Sequence, residues 1–145
     1  MKNLALTYHD WYLLAVSVDL VKDGLELTLA YKEKRSSVRF VAVEQCIINQ
    51  FTLGNVVSEI YIYSGEFPIE KMFSNKMFLE TIGDTQDSSY FKKMVADIER
   101  GSLLYVEIES SIGCHGGIIC KGIKEQTLPD ALPGQYYVPK PSRPI

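Results

Sequence analysis

At 145 residues, with 46% hydrophobic and 23% charged side chains, the chain has the size and makeup of one ordinary globular domain. Its net charge of −3 gives it no electrostatic basis for non-specific binding to nucleic acid or anionic membrane. No stretch approaches the roughly 18 apolar residues that cross a bilayer, the N-terminal stretch lacks a signal-peptide apolar core, and three cysteines, an odd number, suit a reducing compartment. The expectation is a cytoplasmic protein.

In chain order, Leu4 and Leu6 alternate weakly, and residues 1–9 suit either a short leading strand or an irregular entry. Tyr12, Leu14, Val16 and Val18 then share one face, and Leu25, Leu27, Leu29 and Tyr31 another, with a period of two. Between them Asp23-Gly24 accepts positive φ, so residues 12–20 and 25–32 are expected to pair as a hairpin turning there. The charged run 32–37 reads as a second turn. Val38, Phe40 and Ala42, with Cys46 to Ile48 beyond, predict a third strand over about 37–48. Gly54-Asn55 marks a loop. Val56 to Ile62 predict a fourth strand, with Tyr61 and Tyr63 facing away from Ile60 and Ile62.

Residues 66–84 support two readings. Ile69, Met72 and Phe73 are spaced for a helical turn, whereas Met77, Leu79 and Thr81 alternate as in a strand. Residues 88–100 predict a helix, because Tyr90, Phe91, Met94, Val95 and Ile98 draw one apolar stripe. Asp87 or Ser88 caps its start, and Gly101 follows its end. Alternation resumes at Leu104, Val106 and Ile108, and a second run covers 118–123 after the glycine-rich Gly113-Cys114-His115-Gly116-Gly117, which reads as a closing hairpin of open register. Five of the six prolines fall within 129–145, which predicts an extended tail without regular structure. The expected fold is α+β: a mostly antiparallel sheet of six to seven strands with one main amphipathic helix at about 88–100 packed on it, in a single domain spanning 1–128.

Few residues suggest chemistry. Cys114-His115 invites a thiolate nucleophile, yet sequence neighbours usually point apart, and a tight glycine turn explains the stretch as well. Cys114, His115 and Cys120 lack metal-ligand spacing, so neither metal nor cofactor is expected. Cys46 and Cys120 read as buried thiols. His9-Asp10-Trp11 suits either a recognition patch or the closed edge of a core. Tyr61 and Tyr63, together with Tyr8 and Tyr12, are the candidate surface aromatics. Glu107 and Glu109 share a strand face with Tyr105, and that face is expected to meet solvent. Charge is uneven as well: residues 65–130 hold eleven acids against seven bases, while 131–145 carry two bases and no acid.

Three stretches together resemble a known group. They are His9-Asp10-Trp11 before a hairpin; Phe40-Val41-Ala42-Val43 followed by Phe51 and Gly54-Asn55-Val56-Val57-Ser58-Glu59-Ile60; and Ser110-Ser111-Ile112-Gly113-Cys114-His115-Gly116-Gly117-Ile118-Ile119-Cys120-Lys121. Their order over residues 8–124 resembles a loose group of small bacterial proteins, some of them like the immunity proteins found beside polymorphic toxins. The resemblance implies a cytoplasmic partner-binding protein and brings no catalytic residues with it. The leading expectation is therefore a non-enzymatic protein-binding module, with toxin neutralisation as its specific form. Its candidate contacts are Tyr61, Tyr63, Glu107, Glu109, His9, Trp11, Cys114 and His115. A self-associating structural protein, homo-oligomeric in that case, is the alternative, and a small enzyme using Cys114 and His115 is the third reading.

Overall fold

A computed structural model describes residues 4–65 and 69–129. Among them nine strands form one antiparallel sheet. They are β1 (Leu4–Leu6), β2 (Tyr12–Asp19), β3 (Gly24–Tyr31), β4 (Lys34–Val41), β5 (Gln45–Asn49), β6 (Asn55–Tyr63), β7 (Leu104–Ile112), β8 (His115–Cys120) and β9 (Gly122–Leu128). A 3-10 turn (Ile69–Ser74) and two helices, α1 (Lys76–Ile82) and α2 (Ser89–Glu99), lie between β6 and β7. No helix among the described residues is long and apolar enough to cross a membrane. The α+β architecture is as expected. The strands outnumber the six or seven expected because β9 extends the closing hairpin and the third strand is split. The proline-rich segment lies outside the described residues beyond Pro129.

The strand order β5-β8-β7-β6-β2-β3-β4-β9 understates how the sheet closes. β4 continues through Ala42, at φ +52°, into β5, and β8 continues through Lys121 into β9. Amide bonds from Lys121 to the Val41 carbonyl (2.9 Å) and from Glu44 to the Ile119 carbonyl (2.8 Å) keep the two halves in one ribbon. With β4 on β3 and β8 on β7, the pairings form a ring. Its weakest junction is β2–β6, where only Tyr12–Val56 and Leu13–Asn55 are paired. β1 lies along the rest of β6, from Leu4–Ile62 to Leu6–Ile60.

The ring encloses the first core. Leu13, Leu25, Leu27, Leu29, Val38, Phe40, Val57, Ile60, Val106, Ile108, Ile118 and Cys120 are all buried there. A second core sits on the outer face, where Phe78, Ile82, Phe91, Met94 and Ile98 of the helices cover Tyr105 and Ile119. The predicted α2 stripe is therefore buried against the sheet. Ser88 caps α2 by accepting the Phe91 amide at 3.0 Å, and Gly101 follows at φ +79°. Met77, Leu79 and Thr81 belong to a helix and not a strand, since Asn75 caps its start and Gly83, in the left-handed region, ends it. Gly117 lets α1 approach: a Cβ there would overlap the Thr81 hydroxyl and lie 3.0 Å from the Tyr105 ring.

Local expectations are corrected in four places. The hairpin turns over residues 20–23, with Asp23 at φ +47° and Gly24 already paired to Asp19 inside β3. A bulge between Leu13 and Ala15 breaks the expected face of β2: Leu13 and Val16 turn to the inner core, and Tyr12 is left exposed on the outer side. Val18, opposite Leu25, is exposed close to the end of the strand. The second turn shrinks to Lys32-Glu33, because Lys34 to Ser37 pair with β3. Tyr8 is no surface aromatic. It is buried, and its hydroxyl lies 2.8 Å from Ser36 Oγ.

Candidate functional site

The outer face of β6 and β7 beyond the helices brings together four of the predicted residues. In register, Glu59 faces Glu109, Tyr61 faces Glu107 and Tyr63 faces Tyr105. Cross-strand partners in an antiparallel sheet share a face with Cβ atoms about 5 Å apart. The result is a ladder of tyrosines and carboxylates. Tyr63 stacks on Tyr105 at 5.7 Å between centroids and tilts against Tyr61 at 6.2 Å.

One correction concerns this ladder. Tyr105 does not face solvent but is fully buried, with Phe78 of α1 edge-on to it at 5.0 Å. Its hydroxyl donates to Glu107 Oε1 at 2.8 Å, and Asn75 Nδ2 donates to the same oxygen at 2.9 Å. The Asn75 side chain also accepts the Phe78 amide at 3.0 Å, so one residue caps α1 and fixes Glu107. Burial, and then the Glu107 charge, hold the Tyr105 phenol far above its ordinary range. Partial burial and the carboxylates of Glu109, Glu59 and Glu107 raise that of Tyr61 as well.

A trough runs from this ladder along α1. Its first part, about 260 Å³, is lined by Met77, Glu107, Ile108, Glu109, Ser110 and His115. Its second part, about 560 Å³, is lined by Asn49, Gln50, Lys76, Met77, Glu80 and His115. Met77 and His115 join the two. Sequence reasoning missed Lys76, Met77 and Glu80, whose signal was the Asn75 cap that sets the phase of α1.

Cys114 and His115 are separated. Cys114 is buried in the inner core, whereas His115 lines the outer trough. The Cys114 amide donates to Asn55 Oδ1 at 3.0 Å, its carbonyl accepts the Ser110 hydroxyl, and burial pushes its thiol pKa up. That raises the cost of forming a thiolate, the form a nucleophile needs. Gly113, at φ +83°, supplies the turn before it. Cys120 is buried as expected, but Cys46 is exposed, because β5 reaches past the end of β3. Among the described residues no group of three or more His, Cys, Asp or Glu is placed to hold a metal ion.

His9 and Trp11 divide between the two faces. His9 Nδ1 lies 2.9 Å from the Ser58 carbonyl and its Nε2 lies 3.6 Å from Asp10. The backbone bond, then Asp10, and more weakly Glu59 raise its pKa, which places it at the margin of the acidic ladder. Trp11 packs against the inner core, edge-on to Tyr8 at 5.1 Å and stacked on Tyr31 at 5.9 Å. It closes the end of the ring. No family model matches the chain, and no curated protein matches it either.

Proposed function

We propose that this chain is a non-enzymatic, cytoplasmic protein-binding module that recognises its partner through the Tyr61–Glu59–Glu109 end of the ladder. The observation that carries this reading is the direct opposition of Glu59 and Glu109 across two strands. Like charges in that position destabilise a sheet, and a cationic partner surface would relieve the repulsion. Tyr61 beside them offers a rigid apolar area with a polar tip, the kind of side chain enriched among binding hot spots. Acidic surfaces of this type accelerate association with basic partners. Together with the sequence resemblance stated above, this supports toxin neutralisation as the specific role.

The test compares capture from the source cells by the wild-type chain, Tyr61→Ala and Glu109→Lys, followed by titration with the purified partner. The reading requires one saturable protein partner whose affinity falls about tenfold or more in each variant. It fails if no such partner is captured and a small molecule co-purifies with the trough around Met77 and His115.

A further inference from the structure

Beyond Leu13, β2 has a strand on one side only. β3 pairs with it as far as Asp19, whereas β6 meets it at Tyr12 and Leu13 alone. The backbone groups that Val16 to Asp19 turn away from β3 find no partner among the described residues. An unpaired strand edge is a template for another strand, and proteins usually blunt it with lysine, proline or a bulge. The bulge of β2 stands where β6 leaves, and Ala15 to Asp19 pair regularly with β3 after it. Leu14 to Val18 reads LAVSV, without charge, glycine or proline. Such uncharged, β-branched segments pair readily with one another. Asp19, the one charge that follows, is already engaged. Its Oδ1 accepts the amides of Val21 at 3.1 Å and Lys22 at 3.2 Å, and its Oδ2 lies 3.1 Å from an Arg39 guanidinium nitrogen.

This edge is also where the inner core stops short. Val16 and Val18 lie opposite Leu27 and Leu25 of β3, both buried, and cross-strand partners share a face. Val16 packs in part against the core, while Val18 is 64% exposed, with Leu20 and Val21 exposed beyond it. A strand laid along β2 would cover Val18.

Symmetry says which strand fits. A copy of β2 turned about a two-fold axis through Ser17 runs antiparallel to the first and keeps each face continuous. Val16 of each copy then meets Val18 of the other, Ala15 meets Asp19, and Ser17 meets its own counterpart. No two like charges are opposed. The end strand β9 lacks this property. Lys124, Glu125 and Gln126 are exposed along it, and a two-fold axis through its middle residue would set Glu125 against Glu125.

We propose that two copies of this chain associate through the free edges of β2, antiparallel and centred on Ser17, so that the two sheets join and each Val18 is covered by the other copy's Val16. The pairing uses no residue of the tyrosine and carboxylate ladder and stands apart from the function proposed above.

The experiment uses the full chain. Sedimentation between about 1 μM and 1 mM should show a reversible monomer–dimer equilibrium. Ser17→Lys, at an exposed position, sets two like charges face to face at the axis and should raise the dimer dissociation constant about tenfold or more, with the amide spectrum of the monomer retained. Cys46→Ser leaves the buried Cys114 and Cys120 as the remaining thiols. In that background Ser17→Cys should cross-link two copies under mild oxidation, because its two Cβ atoms would lie about 5 Å apart. Lys124→Cys, on β9, should not. A chain that stays monomeric over the whole range overturns the proposal. So does a dimer that Ser17→Lys leaves intact, or one that cross-links equally at positions 17 and 124.

Discussion

The side-chain oxygen of Asn55 accepts the backbone amide of Cys114 at 3.0 Å. The same oxygen accepts the Thr52 amide at 2.8 Å, and the Asn55 Nδ2 donates to the carbonyls of Thr52 (2.6 Å) and Leu13 (3.4 Å). One buried amide thus ties β2, β6 and the β7–β8 turn together where β2 and β6 share only two residue pairs. Asn55→Ala orphans several backbone groups and should cost about 2–4 kcal/mol. Asn55→Asp keeps the acceptor but sets a buried carboxylate oxygen against the Thr52 and Leu13 carbonyls, so it should cost at least as much as alanine. Denaturant midpoints with unchanged m-values would check both. A loss below about 0.5 kcal/mol for alanine would contradict the sealing role.

Asn75 couples helix capping to the ladder. Asn75→Ala removes the cap of α1 and one donor to Glu107, for an expected loss of about 1–2 kcal/mol. Asn75→Asp retains the cap but sets a second carboxylate against Glu107. It should preserve amide-exchange protection in α1 while perturbing the Glu107 signals. If both variants unzip α1 equally, the two roles of Asn75 are not separable.

The opposition of Glu59 and Glu109 makes a prediction in the stabilising direction. Glu59→Gln should raise stability by about 0.2–1 kcal/mol at low salt, with the gain shrinking as salt increases. The same substitution should weaken partner binding. A thermal melt and a binding titration on one preparation would show whether stability and recognition trade against each other.

Legibility in the sequence followed the range of the interactions. The α2 stripe and its Ser88 cap, and the alternation that puts Tyr61 and Tyr63 opposite Ile60 and Ile62, are written within a few residues and are found as expected. That Tyr61 would face Glu107 is set by pairing between residues 46 positions apart, which no local pattern encodes. The bulge after Leu13 turned Tyr12 away from the inner face that Val16 keeps, and the kink at Ala42 split what alternation read as one strand. Gly116 and Gly117 were read as turn formers. Both lie in β8 and are needed for room, since a Cβ on Gly116 would overlap the Ile47 carbonyl.

Stability should be lost on the alkaline side. Burial pushes the Cys120 thiol up to about 11, against an ordinary value near 9. The folded state therefore holds that proton more tightly than the unfolded chain does. The stabilisation is fully present below pH 9 and is lost as pH rises through about 11, up to roughly 3 kcal/mol in all. Cys120→Ala should flatten this part of the profile at the expense of a small cavity. Guanidinium midpoints between pH 7 and 11 for the two chains would decide it.

The continuous ribbon made by residues 34–49 and 115–128 has a consequence for how the protein is made. Its two arms are separated by the helices and two further strands, so the ring cannot close until the last arm has been synthesised. Until then the emerging chain holds β4 with one edge bare, and an exposed strand edge invites pairing with other chains. Such long-range closure is slow compared with forming a local hairpin. The charges on β4, Lys34, Arg35 and Arg39, therefore lie on a strand whose second edge stays bare until β9 is made, where a cluster of like charge keeps nascent copies apart.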